Sequence, residues 1–290
     1  MILTIASGKG GTGKTLLATG LARVLTEDER MAVHLVDCDV EAPNAHLFLH
    51  PELDAPQDVT TLVPRVDAGR CTLCGRCAQV CAFHALAVMP DRVLVFDDLC
   101  HGCGSCAHQC PERAIAEEPL RLGQIASGPA GRVRFTQGLL DVGRAMSTPI
   151  IRALKQQTAP QGDEAVLVLR DAPPGNACPV VETLRGSDYA LLVTEPTPFG
   201  LHDLELAVAI ARDELGLPTG VVINRDGMGD GGVEAYCARA GVPILLRIPL
   251  DRRIAEVCSD GALWVKALPE YRAPLCALYD TIQAQIEASR

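Results

Sequence analysis

The chain has 290 residues, 48% hydrophobic and 21% charged, with a formal net charge of −10. This composition suits a globular protein with one large core and a smaller module, and it excludes DNA or anionic-lipid binding driven by average charge, because either surface would repel it. No run approaches the roughly 20 apolar residues of a spanning helix, and Met1-Ile2-Leu3 enters a strand with no basic segment before it, so neither signal peptide nor membrane span is expected and a cytoplasmic location is.

The first strand, Met1 to Ala6, runs into Gly8-Lys9-Gly10-Gly11-Thr12-Gly13-Lys14-Thr15. This is the phosphate-loop pattern G-x-x-x-x-G-K-[ST]. Its glycines let backbone N–H groups turn toward phosphate oxygens, Lys14 supplies charge and the Thr15 hydroxyl ligates Mg²⁺. Leu17, Leu21, Val24 and Leu25 then repeat at helical spacing, so a helix over Leu16 to Thr26 points its N-terminus at the same anion. A second strand, Ala32 to Val36, ends in Asp37-Cys38-Asp39-Val40-Glu41-Ala42-Pro43-Asn44. Carboxylates at the C-terminal end of a buried parallel strand lie on the ligand side of an open sheet.

Pro51 to Pro64 reads as a connecting segment leaving the sheet. From about Arg70 to Glu118 the texture changes to paired cysteine motifs. The glycine-punctuated stretch Gly123, Gly128, Gly131, Gly138, Gly143 then suggests a hairpin or two, with Val133-Arg134-Phe135 as one strand, and Pro149 to Leu154 begins a helix. The strand Ala165 to Arg170 runs into Asp171-Ala172-Pro173-Pro174-Gly175, a Walker B arrangement that sets Asp171 beside the Mg²⁺ site before a rigid loop able to sense the γ-phosphate. Three more strands (Tyr189 to Thr194, Gly220 to Asn224, Ile244 to Ile248) alternate with helical segments, and a helix from about Glu270 to Ser289 closes the chain. The alternation predicts an α/β fold with a doubly wound, mostly parallel sheet.

Of thirteen cysteines, the eight that crowd between Cys71 and Cys110 read as metal ligands more than as disulfides. Cys71-x-x-Cys74-x-x-Cys77-x-x-x-Cys81 is followed by Cys100-x-x-Cys103-x-x-Cys106-x-x-x-Cys110-Pro111, the bacterial ferredoxin run written twice, in which the fourth cysteine of each run ligates the other cluster. One [4Fe–4S] cluster then takes Cys71, Cys74, Cys77 and Cys110, and the other Cys100, Cys103, Cys106 and Cys81. Zinc is the rival, because C-x-x-C pairs also suit a tetrahedral ion; the third cysteine at equal spacing and the duplication weigh toward clusters. Ala82 stands where the run usually has proline. Clusters serving as staples for an otherwise coreless segment are the structural alternative to conduction. Cys38, Cys237, Cys258 and Cys276 read as small buried hydrophobes, and so in the first instance does Cys178, which starts a helix three residues after Gly175. The rings Phe83, Phe96, Phe135 and Trp264 carry little of the argument.

With Lys9 early in the loop, the chain resembles the deviant Walker A ATPases: MinD, ParA, the Mrp-type iron–sulfur carriers and the nitrogenase iron protein. Its cysteine runs make it similar to the branch with an inserted two-[4Fe–4S] ferredoxin domain. The resemblance implies a P-loop NTPase domain over residues 1–64 and 120–290 and a small α+β bacterial-type ferredoxin domain over 65–119. It implies ATP or ADP, Mg²⁺ and two [4Fe–4S] clusters as cofactors. Lys9 would reach across an ATP-sandwich homodimer, or related heterodimer, to the partner's phosphates, while Lys14 and Thr15 serve the β- and γ-phosphates and Mg²⁺. Asp39 would position the hydrolytic water, Asp37 would join the Mg²⁺ network, Asp171 and Gly175 would form switch II, and Asn224 would match an adenine-binding asparagine. Thr194-Glu195-Pro196-Thr197-Pro198-Phe199-Gly200 is another family-like feature, with no chemistry assigned.

Departures narrow the function. The segment Leu275 to Ser289 has acidic residues and no lysine, so stable membrane association is not expected. An acidic chain does not advertise DNA binding. The cysteines beyond Cys178 are too widely spaced for a carrier's C-terminal C-x-x-C, while Cys178 lies near the position of the iron protein's cluster ligand and would line the dimer interface or hold a transient metal. The expected function is a dimeric Mg·ATPase coupled to a two-cluster electron-transfer module that acts on a redox or metal-cofactor protein. The alternatives are an ATP-dependent iron–sulfur or metal-cofactor assembly protein and, behind it, a MinD-like positioning ATPase.

Overall fold

The computed structural model describes residues 1–27, 30–160 and 166–288. Two sequence-predicted ends, Ala165 of the Walker B strand and Ser289 of the last helix, lie outside them.

In chain order the strands are β1 (Ile2–Ala6), β2 (Ala32–Asp37), β3 (Gln57–Val66), β4 (Leu86–Val88), β5 (Val93–Val95), β6 (Ile115–Ala130), β7 (Val133–Leu140), β8 (Val166–Asp171), β9 (Tyr189–Thr194), β10 (Thr219–Asp226) and β11 (Ile244–Pro249). The α-helices are α1 (Lys14–Glu27), α2 (His46–Leu49), α3 (Arg76–Gln79), α4 (Ser105–His108), α5 (Thr148–Gln157), α6 (Cys178–Leu184), α7 (Pro198–Val208), α8 (Gly232–Ala240), α9 (Arg252–Ser259), α10 (Trp264–Ala267) and α11 (Arg272–Ala288). Nine strands form one sheet in the order β11-β10-β9-β1-β8-β2-β7-β6-β3. The run from β11 to β7 is parallel, and β6 and β3 are added antiparallel at one edge. The doubly wound, mostly parallel sheet read from the sequence is therefore present.

Alternation along each strand divides the core between two faces. Leu3 and Ile5 of β1 pack with Leu17, Leu21, Leu278 and Ile282 of α1 and α11, while Ala6 faces a second cluster with Val180, Leu204 and Val208 of α6 and α7. Trp264 fixes the first layer more firmly than its slight weight in the sequence reading implied. It is 1% exposed, its indole N–H donates to the Leu16 carbonyl at 2.9 Å, and it lies so close to Gly20 that a Cβ there would come 2.5 Å from Nε1.

Of the stretch expected to connect, residues 51–56 do, but from Gln57 it runs into a ten-residue strand. Asp58, Thr60 and Leu62 of β3 are exposed while Val59, Thr61 and Val63 are partly or fully buried, a period of two visible in D-V-T-T-L-V. Pro64 is tolerated because β3 is the sheet edge.

This edge pair positions the cysteine segment. β3 and β6 pair from Gln57↔Ile125 to Val66↔Ile115, yet β6 meets β7 only from Gly123 to Ala130. Residues 60–66 and 115–121 thus form a two-stranded ribbon that leaves the sheet, an arm about 20 Å long at ~3.3 Å per residue. Strand directions put its tip on the edge where β1, β2 and β8 end, the edge of the phosphate loop. At the tip are α3, α4 and the β4–β5 hairpin, around a small core of Val63, Ala85, Leu86, Cys77, Cys100 and Cys106.

Candidate functional site

The loop after β1 bends through Gly11 (φ 77°) and Gly13 (φ 98°) before α1 starts at Lys14. These left-handed positions need glycine, and a Cβ on Gly13 would also sit 2.4 Å from Nδ2 of Asn224. Lys14 Nζ donates to Ser7 Oγ at 3.0 Å, and burial lowers its pKa against the raising influence of Asp171, Asp39 and Asp37. Thr15 Oγ1 donates to Asp171 Oδ2 at 2.6 Å, while Asp171 Oδ1 is buried without a partner. An orphan carboxylate oxygen beside a hydroxyl is the donor pair that a hydrated Mg²⁺ takes.

Asp37 lies beside Asp171, since the two are in register on neighbouring strands. It accepts from the backbone N–H of Asp39 (3.1 Å), Asn44 (3.0 Å) and Ala45 (3.0 Å). Burial nonetheless raises its pKa to about 6; burial and then the Asp37 charge raise Asp171 to about 8. Asp39 is also raised by burial, with Lys14 opposing. Lys14, Thr15, Asp39, Gly10, Gly11, Gly13 and Asn224 line one cleft of about 1050 Å³ including its open mouth, which extends over Phe48, Leu250, Asp251, Ile254 and Cys258. No sequence motif announced that largely apolar extension.

Lys9 is not in the cleft wall. Its ammonium pairs with Glu195 of the same chain, whose other oxygen accepts from Arg225 at 2.7 Å. Burial pushes the Glu195 carboxyl up, but the two cations outweigh it and hold it below the usual range. Glu195 and Arg225 are thus site residues to which sequence reasoning assigned no chemistry. Asn224 uses its amide on the loop itself, donating to Thr12 O at 2.8 Å and accepting from Arg225 N at 2.9 Å. Its second N–H and the second lone pair of its oxygen are left for a further partner. Cys178 is exposed at the start of α6; Cys38 and Cys237 are buried, whereas Cys258 and Cys276 are only partly so.

The eight clustered cysteines divide into two groups. Cys71, Cys74, Cys77 and Cys110 line one pocket of about 350 Å³ and Cys81, Cys100, Cys103 and Cys106 another of about 340 Å³, open mouths included. The fourth cysteine of each run crosses to the other cavity. The backbone repeats with it at an offset of 29 residues. Positive φ recurs at Leu73 and Gly102, Gly75 and Gly104, His84 and Arg113, and N–H donors reach Cys81 Sγ from Ala85 (3.2 Å) and Cys110 Sγ from Ala114 (3.3 Å). The first cavity, walled by Val66 and Ile115, is distal on the arm; the second, walled by Pro64 and Glu117 and topped by the Phe83–His101 stack, is proximal. Among the described residues, no three His, Cys, Asp or Glu side chains converge on a point suited to one metal ion. No described helix is long and apolar enough to cross a membrane.

Residues 3–264 match the model of the CobQ/CobB/MinD/ParA nucleotide binding domain. An uncharacterised protein of Methanocaldococcus jannaschii is 30% identical over 267 residues, 92% of each chain. The cytosolic Fe-S cluster assembly factor Nubp2 homolog of Anopheles gambiae is 26% identical over 288 residues, 93% of this chain and 90% of its own. Among solved structures, the septum site-determining protein MinD of Pyrococcus horikoshii, complexed with Mg-ADP, superposes with a TM-score of 0.57 at 22% identity, covering 97% of this chain and 95% of its own.

Proposed function

Because the chain belongs to the CobQ/CobB/MinD/ParA nucleotide-binding family, we propose that it is a dimeric, cytoplasmic Mg·ATPase whose residues 65–119 form a two-[4Fe–4S] ferredoxin-like domain acting on a redox partner. The observation that carries the reading is the crossed division of eight thiols between two equal cavities at the end of an arm that rises from the phosphate-loop edge. A donor set of four thiolates per cavity, with backbone N–H groups aimed at sulfur, fits a cubane. Bound there, the clusters supply one-electron storage and transfer.

The chain's own groups do the rest. Loop N–H groups and Lys14 hold the β- and γ-phosphates, Thr15 and Asp171 hold the metal with Asp37 behind them, and Asp39 orients the attacking water. Lys9, released from Glu195, reaches the phosphates of the second subunit, and Asn224 steadies the loop beside the base. The γ-phosphate then holds the Asp39 and Asp171 loops in one arrangement that hydrolysis releases.

Anaerobic iron counting with redox titration tests this. About eight irons per chain and a midpoint potential that moves on Mg·ATP binding are expected; a chain that binds no iron, or identical titrations with and without nucleotide, refutes it. The Nubp2 relative favours a second reading, in which clusters are cargo for an acceptor protein. Cluster loss to an apo-acceptor during turnover selects that reading, and retention selects electron transfer.

A further inference from the structure

Resting on the reading above, we propose that the elbow of the β3–β6 arm is the joint through which both nucleotide-facing loops set the position of the proximal cysteine site, with Asp141 and Arg144 as its positioning residues. The register of the arm slips at one place: Val59 pairs with Gly123 and Thr60 with Arg121, leaving Leu122 as a bulge where the ribbon leaves the sheet. Bulges bend and twist a ribbon locally, so this is where the arm pivots.

The short loop after β7 grips the bulge. Asp141 N donates to the Leu122 carbonyl at 2.9 Å, and the Asp141 carboxylate pairs with Arg121 at 3.0 Å, whose guanidinium also meets Asp58 at 3.0 Å. Three residues on, Arg144 lies 3.6 Å from Asp98, which precedes the cluster ligand Cys100 by two residues. The same loop is wired to the water-positioning carboxylate, because Leu140 N donates to the carbonyl of Val40, the residue after Asp39, at 2.8 Å.

A second route arrives from Asp171. Its loop leads into α6, where Glu182 takes Lys155 at 3.0 Å and Arg152 at 3.1 Å, both on α5. Ile150 of α5 presses on the elbow so closely that a Cβ on Gly123 would lie 2.7 Å from it and 2.2 Å from the Leu139 carbonyl. The Asp39 and Asp171 loops, on different strands, therefore converge on adjacent residues, Leu122 and Gly123. The ion pairs that make the joint are solvent-facing, with Arg121 45% and Asp141 35% exposed. Pairs of this kind contribute at most about 1 kcal/mol to stability, so they can be removed without unfolding the chain.

The test uses the full iron-loaded chain, wild type against the double variant Asp141→Ala/Arg144→Gln, with Arg30→Gln as a surface ion-pair control. Two signals are read with and without Mg²⁺ and a non-hydrolysable ATP analogue: amide exchange over residues 115–125, and the midpoint potential of the cluster assigned to Cys81, Cys100, Cys103 and Cys106. Wild type and control should show a nucleotide-dependent change in both. The double variant should keep nucleotide affinity and iron content and lose both changes. A double variant that responds like wild type overturns the joint and leaves the proposed function standing. Wild-type exchange indifferent to nucleotide also overturns the joint, while absence of iron refutes the cluster reading and leaves the exchange result to judge the joint alone.

Discussion

The carboxylate pair at the ends of β2 and β8 makes metal binding a proton-releasing event. Asp37 and Asp171 are in register and buried, with folded pKa values of about 6 and about 8. At pH 7 the pair then shares about one proton, and a Mg²⁺ that takes the orphan Asp171 oxygen must expel it. Each pH unit below the Asp171 pKa should weaken Mg·nucleotide binding about tenfold, or ~1.4 kcal/mol, with a plateau above pH 8. Calorimetric titration at pH 7 in two buffers of different ionisation heat should report close to one proton released, falling toward zero at pH 9. Asp171→Asn should release none at either pH. Heats independent of buffer at pH 7, or a wild-type proton count in Asp171→Asn, would refute the reasoning. The sign for stability follows from the same shifts. The folded state retains protons on this pair that the unfolded chain has already lost, so the pair's contribution to the stability of the nucleotide-free protein falls as pH rises from about 4 to about 8, opposed below about pH 6.5 by buried His34, whose pKa is lowered to about 4, and Mg·ATP should offset the fall.

Three other outcomes follow from particular contacts. Cys110→Ser should remove a ligand from the distal site although it belongs to the second run, and Cys81→Ser should do the converse. Electron paramagnetic resonance of the two variants should lose different clusters, and loss of the cluster in the variant's own run would sink the crossed assignment. Glu195→Gln removes the charge that holds Lys9 in its own chain, an ion pair with an 11% exposed carboxylate worth ~1 kcal/mol. Two such pairs open per homodimer, about 2 kcal/mol, so ATP-dependent self-association should tighten by up to about thirtyfold in sedimentation experiments; unchanged or weaker association speaks against Lys9 as the group exchanged. Trp264→Ala empties a site that is 1% exposed and frees the Leu16 carbonyl, so denaturant melts should show a loss of about 3–5 kcal/mol.

The parts of the site that were legible in the sequence are those whose chemistry demands a residue type at a fixed spacing. The glycines of the loop, Thr15, the strand-end Asp37 and Asp171, and the duplicated cysteine run fall in this group, because each is set by local backbone geometry. Glu195 was not legible as the shared partner of Lys9 and Arg225, since Glu195 and Arg225 come together only through neighbouring β9 and β10. The wall of Leu250, Ile254 and Cys258 was invisible for the same reason, and an apolar residue in a cleft has the same letter as one in the core. The misread segment before the cysteines shows a different limit. Prolines at 51, 56 and 64 announced a connection, and only the edge position of β3, a tertiary fact, lets a strand carry Pro64.

The arm also explains why the cysteine segment sits between β3 and β6 and not in another loop. Four strand spacings separate β1 from β6, about 19 Å across the sheet, so the arm is rooted well to one side of the phosphate loop. They are nonetheless on the phosphate edge, because two antiparallel strands were added beyond β7 and return the chain to that side. A module carried on the opposite edge would meet only the N-terminal ends of β1, β2 and β8, where nothing distinguishes ATP from ADP. Placed as it is, the proximal cavity lies one ion pair, Arg144 to Asp98, from a loop that is hydrogen-bonded to the residue after Asp39. A sub-ångström shift at Asp39 therefore has a short path of named contacts along which to reach the proximal cysteines.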